Sequence, residues 1–331
     1  MIYEFALEPE LVATWHDNNN YSFFHEKFSV KTGRIISGYP KDWQKKVWQA
    51  FDESTAKDDD NARMKLGALL DNLKHHMSKR RGTFGEIKIW QERAEAEHEM
   101  RPFHAILSRQ NPRKKDFVIS AHDLVSELDH PQWKVPDIPP TVRNAQQMLN
   151  AVAPILRLSK SIQLIDPYFD PNKNRFMKPL EAFLYEIWNN RYGPENPDVE
   201  LHTSVKRYLD PQGKGQCRDL NEQGRVTYEL KNNILQKLPR IIPPMTCLHV
   251  KIWKEKEREI RKKLHNRYIL TELCGIFWGH GLDQDNIEDT IDTDDVEILS
   301  TLRHEERLKD YSGNPGAFDF ATPPFSVVGK T

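Results

Sequence analysis

The stretch Leu264-His265-Asn266-Arg267-Tyr268-Ile269-Leu270-Thr271-Glu272 carries the residue types best suited to phosphate chemistry. Its apolar alternation predicts a strand. On a strand, residues two apart share a face, which would place His265 beside Arg267. An imidazole next to a guanidinium makes a reasonable phosphate site. The ring nitrogen can attack phosphorus or donate a proton, and the planar fork can hold two phosphate oxygens. Glu272, just past the strand, is placed to orient a histidine. Asp166-Pro167-Tyr168 follows a second apolar run and stops it at proline. It reads either as a ligand-binding strand end or as a simple turn in which Tyr168 packs on the core.

The nine residues resemble the H-x-K-x(4)-D motif of the phospholipase D superfamily, with His265 matching, Arg267 in the place of lysine and Glu272 in the place of aspartate. A closer resemblance is to the phospholipase-D-like C-terminal domain of the MIT (microtubule-interacting-and-transport) proteins. It rests on Leu164-Ile165-Asp166-Pro167-Tyr168, on His265-Asn266-Arg267 and on Gly279-His280-Gly281-Leu282-Asp283, in that order. The resemblance implies a mixed sheet with flanking helices. It also implies a phosphate pocket that takes in His265, Arg267, Asp166, Tyr168, Gly279 and Gly281, with His265, Arg267 and Glu272 in the catalytic positions. The MIT-type domain is described as non-catalytic and as binding membrane surfaces, whereas active members of the superfamily bring two motifs together. One histidine then forms the phospho-enzyme and the other protonates the leaving group.

A second motif is missing here. His249-Val250-Lys251 fits three positions but runs on to Lys256 with no acid at the eighth, and His75-His76-Met77-Ser78-Lys79 does not fit. Cleavage through His265 would need a symmetric homodimer. Arginine for lysine also changes where phosphorus sits and cannot lose its proton. The motif therefore predicts a degenerate site ahead of an active one.

The elements that must position these residues are legible after residue 141. Thr141 reads as an N-cap, with Val142, Ala145, Leu149, Val152 and Leu156 on one helical face. Ser161–Ile165 and Val199–Val205 read as strands. Phe176 to Trp188 and Val226 to Leu238 read as amphipathic helices. Leu248–Trp253, Arg267–Thr271 and Gly275–Gly279 read as three strands in an antiparallel meander. Strands alternating with helices predict an α/β domain over 141–331 with a partly parallel sheet.

Residues 131–140 hold four prolines and predict an extended linker. Residues 1–130 predict a mixed α/β domain of unknown role. Its helices span Lys41–Phe51 and Asn61–Met77, the second with Met64 among its apolar residues and with Asp58 to Asp60 at its positive end. Its short strands are Glu86–Trp90 and Phe103–Leu107.

The 331 residues are 29% charged, with a net charge of -1. No global field draws the chain to nucleic acid or to anionic membrane, so any such contact must be local. Lys79-Arg80-Arg81, Arg113-Lys114-Lys115 and the alternating run Lys254 to Lys263 read first as surface and second as phosphate contacts. The acidic run Asp283, Asp285, Glu288, Asp289, Asp292, Asp294 and Asp295 lacks the EF-hand order and reads as a solvated loop. Cys217, Cys247 and Cys274 have no zinc spacing. With no leader-like start and no apolar run of spanning length, the chain reads as a soluble cytoplasmic protein without metal or cofactor.

Three functions are carried forward. The first is recognition of a phosphodiester, nucleic acid ahead of lipid, by a subunit of a larger complex with a protein partner; domain pairing suggests prokaryotic antiviral defence by analogy alone. The second is a metal-independent homodimeric nuclease or phosphodiesterase using His265. The third is a non-catalytic interaction scaffold.

Overall fold

The computed structural model describes every residue except 1, 81, 83, 122–129, 136–139, 206–219, 257–261, 288–289, 314–315 and 331. Arg81, Cys217, Glu288, Asp289, part of the proline-rich stretch and part of the Lys254–Lys263 run therefore lie outside the described residues. The chain is mixed α/β and divides into two compact units. One is Met1–Asp137 with Tyr192–Glu195, and the other is Ile138–Arg191 with Asn196–Thr331. Among the described residues no helix is long and apolar enough to cross a membrane.

The first unit is built on five strands: β1 (Tyr3–Leu7), β2 (Arg34–Ser37), β3 (Met77–Ser78), β4 (Ala105–Ser108) and β5 (Val118–Ser120). Their order is β3-β2-β1-β4-β5, and every pairing is parallel. Parallel sheets need helical crossovers and bury both faces. Phe5, Leu7, Ile36, Leu107 and Ile119 pack one face against Trp43, Val47, Phe51, Leu66, Leu69 and Leu70. Ala6, Ile106 and Val118 pack the other against Trp90 and Ala94. The helices Trp43–Asp52 and Asp60–Lys74 stand where the apolar spacing put them, and Asp59 caps the second by accepting from the N–H groups of Asn61 and Ala62. Met64 is 68% exposed and is not a core residue. Met77 belongs to β3 and not to the helix. The expected strand at Glu86–Trp90 is absent, and Trp90 instead opens the helix Trp90–Met100.

Trp133 is buried in this first core, edge-on to Phe5 and beneath the Arg34 guanidinium at 4.7 Å. The proline-rich stretch therefore begins as part of the N-terminal fold rather than as a free tether.

The second unit holds a sheet ordered β13-β11-β10-β7-β8-β9-β14, with β15 also on β9. The strands are β7 (Ser161–Ile165), β8 (Asp198–Ser204), β9 (Cys247–Glu255), β10 (Arg267–Thr271), β11 (Gly275–Trp278), β13 (Val296–Ile298), β14 (Phe318–Phe320) and β15 (Phe325–Val328). A two-stranded ribbon of β6 (Thr141–Val142) and β12 (Thr293–Asp294) stands apart. Strands β7, β8 and β9 run parallel, and β10, β11 and β13 form an antiparallel meander beside β7. The expected meander included β9, which instead is separated from β10 by two strands, β7 and β8. His249-Val250-Lys251 is thus not beside the His265 motif.

The first helix of this unit starts later than expected. Thr141 is in β6, and Asn144 caps Ala145–Leu158 by accepting from Gln147 N–H at 2.9 Å. Asn174–Asn189 buries Phe176, Leu180, Phe183, Leu184 and Ile187. In Leu220–Lys237, Leu235 is 40% exposed and off the buried face.

Candidate functional site

The site is assembled at the carboxyl end of β7. Pro167 lacks the N–H that would continue the ladder, so the chain turns there. Ser204 Oγ holds the turn by donating to Pro167 O at 2.8 Å. Asp166, 2% exposed, accepts from Tyr168 N at 2.8 Å and from Leu282 N at 3.0 Å. Burial pushes its carboxyl up to about 6. The nearby Asp283 acts in the same direction, while the two N–H groups and Arg267 oppose it.

Arg267 opens β10. Tyr268 is in register with Ile165 in the antiparallel pair, so Arg267 arrives level with Asp166. Its guanidinium lies 4.6 Å over the Tyr168 ring. Nη1 donates to Gly279 O at a long 3.4 Å, and Nε has no hydrogen-bond partner. Among the described residues no carboxylate comes within ion-pair distance of it. The result is a guanidinium fixed by stacking, with donors left over for an anion.

The Gly279-His280-Gly281-Leu282-Asp283 turn closes the site. A Cβ at Gly279 would come 2.7 Å from Asp294 Oδ1. One at Gly281 would come 2.5 Å from Asp283 Oδ1 and 3.3 Å from Asp166 Oδ2, at a φ of +147°. Both glycines therefore let buried carboxylates approach the backbone on either side of His280. Asp294, 1% exposed, accepts from His280 N at 3.0 and 2.9 Å, and His280 Nδ1 lies 3.1 Å from its Oδ1. Asp283 accepts from Arg175 Nε at 2.5 Å, and Arg143 Nη2 stands 3.7 Å from it. Arg143 also pairs with Asp292 at 2.9 Å. The expected solvated acidic loop is in fact anchored, because Asp283 and Asp294 are buried and partnered.

Asp166, Tyr168, Arg267, Gly279 and Gly281 thus come together from three separated segments. Glu272 does not join them, and His265 stands outside β10. His265 is exposed in a turn before β10, so the shared strand face that would have paired it with Arg267 is not formed. Glu272 lies past the opposite end of β10, roughly 16 Å along the strand from Arg267 at about 3.3 Å per residue. There its carboxylate accepts from Lys160 N at 2.8 Å and Ser161 N at 2.9 Å, capping the start of β7. It orients no histidine. Arg143, Arg175 and Asp294 carried no motif of their own in the sequence. Asp294 stood out only as a member of the acidic run, Arg143 and Arg175 not at all, and only packing reveals their partners.

The basic clusters are largely neutralised within the fold. Arg80 is 4% exposed and pairs with Glu4 at 2.5 Å and Glu97 at 3.2 Å, so it is not a surface residue. Arg113 pairs with Glu95 at 2.7 Å and Glu92 at 3.2 Å. Lys263 pairs with Glu255, and Lys262 with Asp310. At the carboxyl ends of β1 and β4, where open parallel sheets bind ligands, Glu8 is occupied by Ser108 Oγ at 2.8 Å and by the Arg109 guanidinium at 3.0 Å. Buried His202 accepts from Trp253 Nε1 at Nδ1, so its Nε2–H donates to Glu200 at 2.7 Å. Burial raises the Glu200 carboxyl, yet His202 and Lys251 hold it down at about 2. That cluster is closed and structural. Cys274 is buried, which pushes its thiol up to about 12. Among the described residues no group of three His, Cys, Asp or Glu could hold a metal ion. No protein-family model matches this sequence, and no curated protein matches it.

Proposed function

We propose that residues 141–331 form a phospholipase-D-like domain that recognises a phosphodiester at Arg267, in a single nucleic-acid strand ahead of a lipid headgroup. The observation that carries this reading is the state of Arg267. It is half-buried, stacked on Tyr168, level with the raised carboxyl of Asp166 and without an ion-pair partner among the described residues. A fixed guanidinium with unused N–H groups favours a planar pair of phosphate oxygens over a diffuse cation-attracting surface. The neutralised basic clusters limit long-range pull on a duplex and favour a short, local contact. Glu272, bound at the start of β7, is lost as the third member of the expected His265 chemistry.

Fluorescence anisotropy with short single-stranded DNA and RNA, set against vesicles containing anionic phospholipid, tests this. Wild type should bind the oligonucleotide with a shallow salt dependence of about one or two released counterions. Arg267→Ala should weaken binding by at least about tenfold, a loss typical of one charge-assisted contact, and Arg267→Glu should abolish it. Unchanged binding in Arg267→Glu, or binding to vesicles alone, would overturn the reading.

A further inference from the structure

We propose that His280 and Asp294 form a catalytic dyad that hydrolyses the phosphodiester held at Arg267. This rests on the Arg267 reading for how the diester is held, but it assigns the chemistry to a histidine outside the H-x-R motif. The Asp294 carboxylate can only accept, so the 3.1 Å contact requires the proton on His280 Nδ1. Nε2 then carries the lone pair. Asp294 is 1% exposed, whereas the His280 side chain is 60% exposed, so a buried carboxylate orients an imidazole whose basic nitrogen faces solvent. This is the arrangement by which a second group fixes the tautomer of a working histidine and stabilises its protonated form.

The dyad is adjacent to the phosphate donor. Arg267 donates to Gly279 O, and a Cβ on Gly281 would be 3.6 Å from its Nε, so the guanidinium bonds the backbone before His280 and borders the backbone after it. The two glycines are needed for this. Gly279 admits Asp294 under the imidazole, and Gly281 lets the chain pass over Asp166 and Asp283. His265, by contrast, is in the turn before β10, and Glu272 is bound to the start of β7.

The step balances without a co-reactant. His280 Nε2 takes a proton from water as the water oxygen bonds to phosphorus. The opposite P–O ester bond breaks, its electron pair stays on the leaving oxygen, and that oxygen takes a proton from solvent. The imidazolium returns its proton to solvent. One phosphomonoester and one hydroxyl result.

The test uses the full chain, bis(4-nitrophenyl) phosphate as an activated diester, and short fluorescein-labelled single-stranded DNA and RNA, with thermal melting as the folding control. His280→Ala should lower turnover by at least about 100-fold while His265→Ala leaves it within about twofold, the range expected for a lost general base. Because the His280 side chain is exposed, melting should be unchanged. Asp294→Asn keeps an acceptor but loses the charge. It should slow turnover by at least about tenfold while leaving the KM for bis(4-nitrophenyl) phosphate within about twofold, a split between kcat and KM that a purely structural role would not produce.

Turnover that survives His280→Ala, or no turnover by wild type on any of these substrates, overturns the dyad. Oligonucleotide binding lost in Arg267→Ala without turnover leaves the binding reading standing and sinks only the dyad. Turnover of the small diester that depends on His280, with no oligonucleotide bound, does the reverse: it sinks the preference for nucleic acid and keeps the dyad.

Discussion

Asp166 and Arg267 stand level across β7 and β10, and the carboxyl is pushed up to about 6 chiefly by burial. Above that pH the ionised carboxylate offsets part of the guanidinium charge. Below it the carboxyl is neutral and the guanidinium acts on an anion alone. Phosphodiester affinity should therefore rise on the order of tenfold between pH 7.5 and 5, the size expected when one nearby charge is removed in a partly desolvated site. His280 is the proposed base for the same anion, so the measurement belongs in the His280→Ala background. There, Asp166→Asn should flatten the profile, although its amide would face Leu282 N–H and cost some stability. An affinity independent of pH in the His280→Ala protein would show that Asp166 does not govern Arg267. The same residue scale explains why the motif misled. His265-Asn266-Arg267 has the right spacing for a strand face, but β10 begins only at Arg267, so the alternation never reaches His265.

At the scale of elements, β10 separates two jobs that the motif placed together. Its first residue stands at the proposed phosphate site, and Glu272, just past its end, ties down the start of β7. Glu272→Ala should therefore cost roughly 1 kcal/mol of stability, the worth of an exposed side-chain acceptor for two strand-end N–H groups. Phosphodiester affinity should stay within experimental error. A loss of binding without loss of stability would return Glu272 to the site.

What could be read from the sequence follows the same division. Trp43–Asp52 and Asn174–Asn189 were visible because their buried residues are apolar and recur at helical spacing. Trp90–Met100 was not, because its buried face includes Gln91, Glu95 and Glu97. Arg80, Arg101 and Arg113 neutralise two of these, Glu97 and Glu95, and Gln91 donates to Glu95. A helix that buries charge through partners from other elements shows no hydrophobic period. Strands β1, β2 and β5 are only three to five residues long, too short for alternation to stand out. In the site, the three short segments were legible as a set. Arg143, Arg175 and Asp294 were not, since each acts only through a partner distant in sequence.

For the whole molecule, pH acts differently on the two units. In the first, His76, His98 and His104 are held below the usual imidazole range, in each case chiefly by burial. In the second, burial does the same to His202 and His304. A histidine with a depressed folded pKa binds its proton more readily when unfolded, so stability falls as pH drops below about 6.5. Asp166 has the opposite sign. Its folded pKa, about 6, lies above its ordinary value of 3.8, so the folded state takes up the proton first and stability rises as pH falls from 7 towards 4. Between pH 7 and 5 that gain is on the order of 1 kcal/mol, about one pH unit of differential protonation. It offsets part of the histidine loss in the second unit only. Native-state hydrogen exchange, corrected for intrinsic rates, should therefore show the opening free energies of β4 and β10 both changing between pH 7 and 5, with Asp166 opposing the loss at β10. In Asp166→Asn the β10 value should fall further than in wild type over the same interval. A variant indistinguishable from wild type would mean that Asp166 does not take up its proton in the folded state over this range.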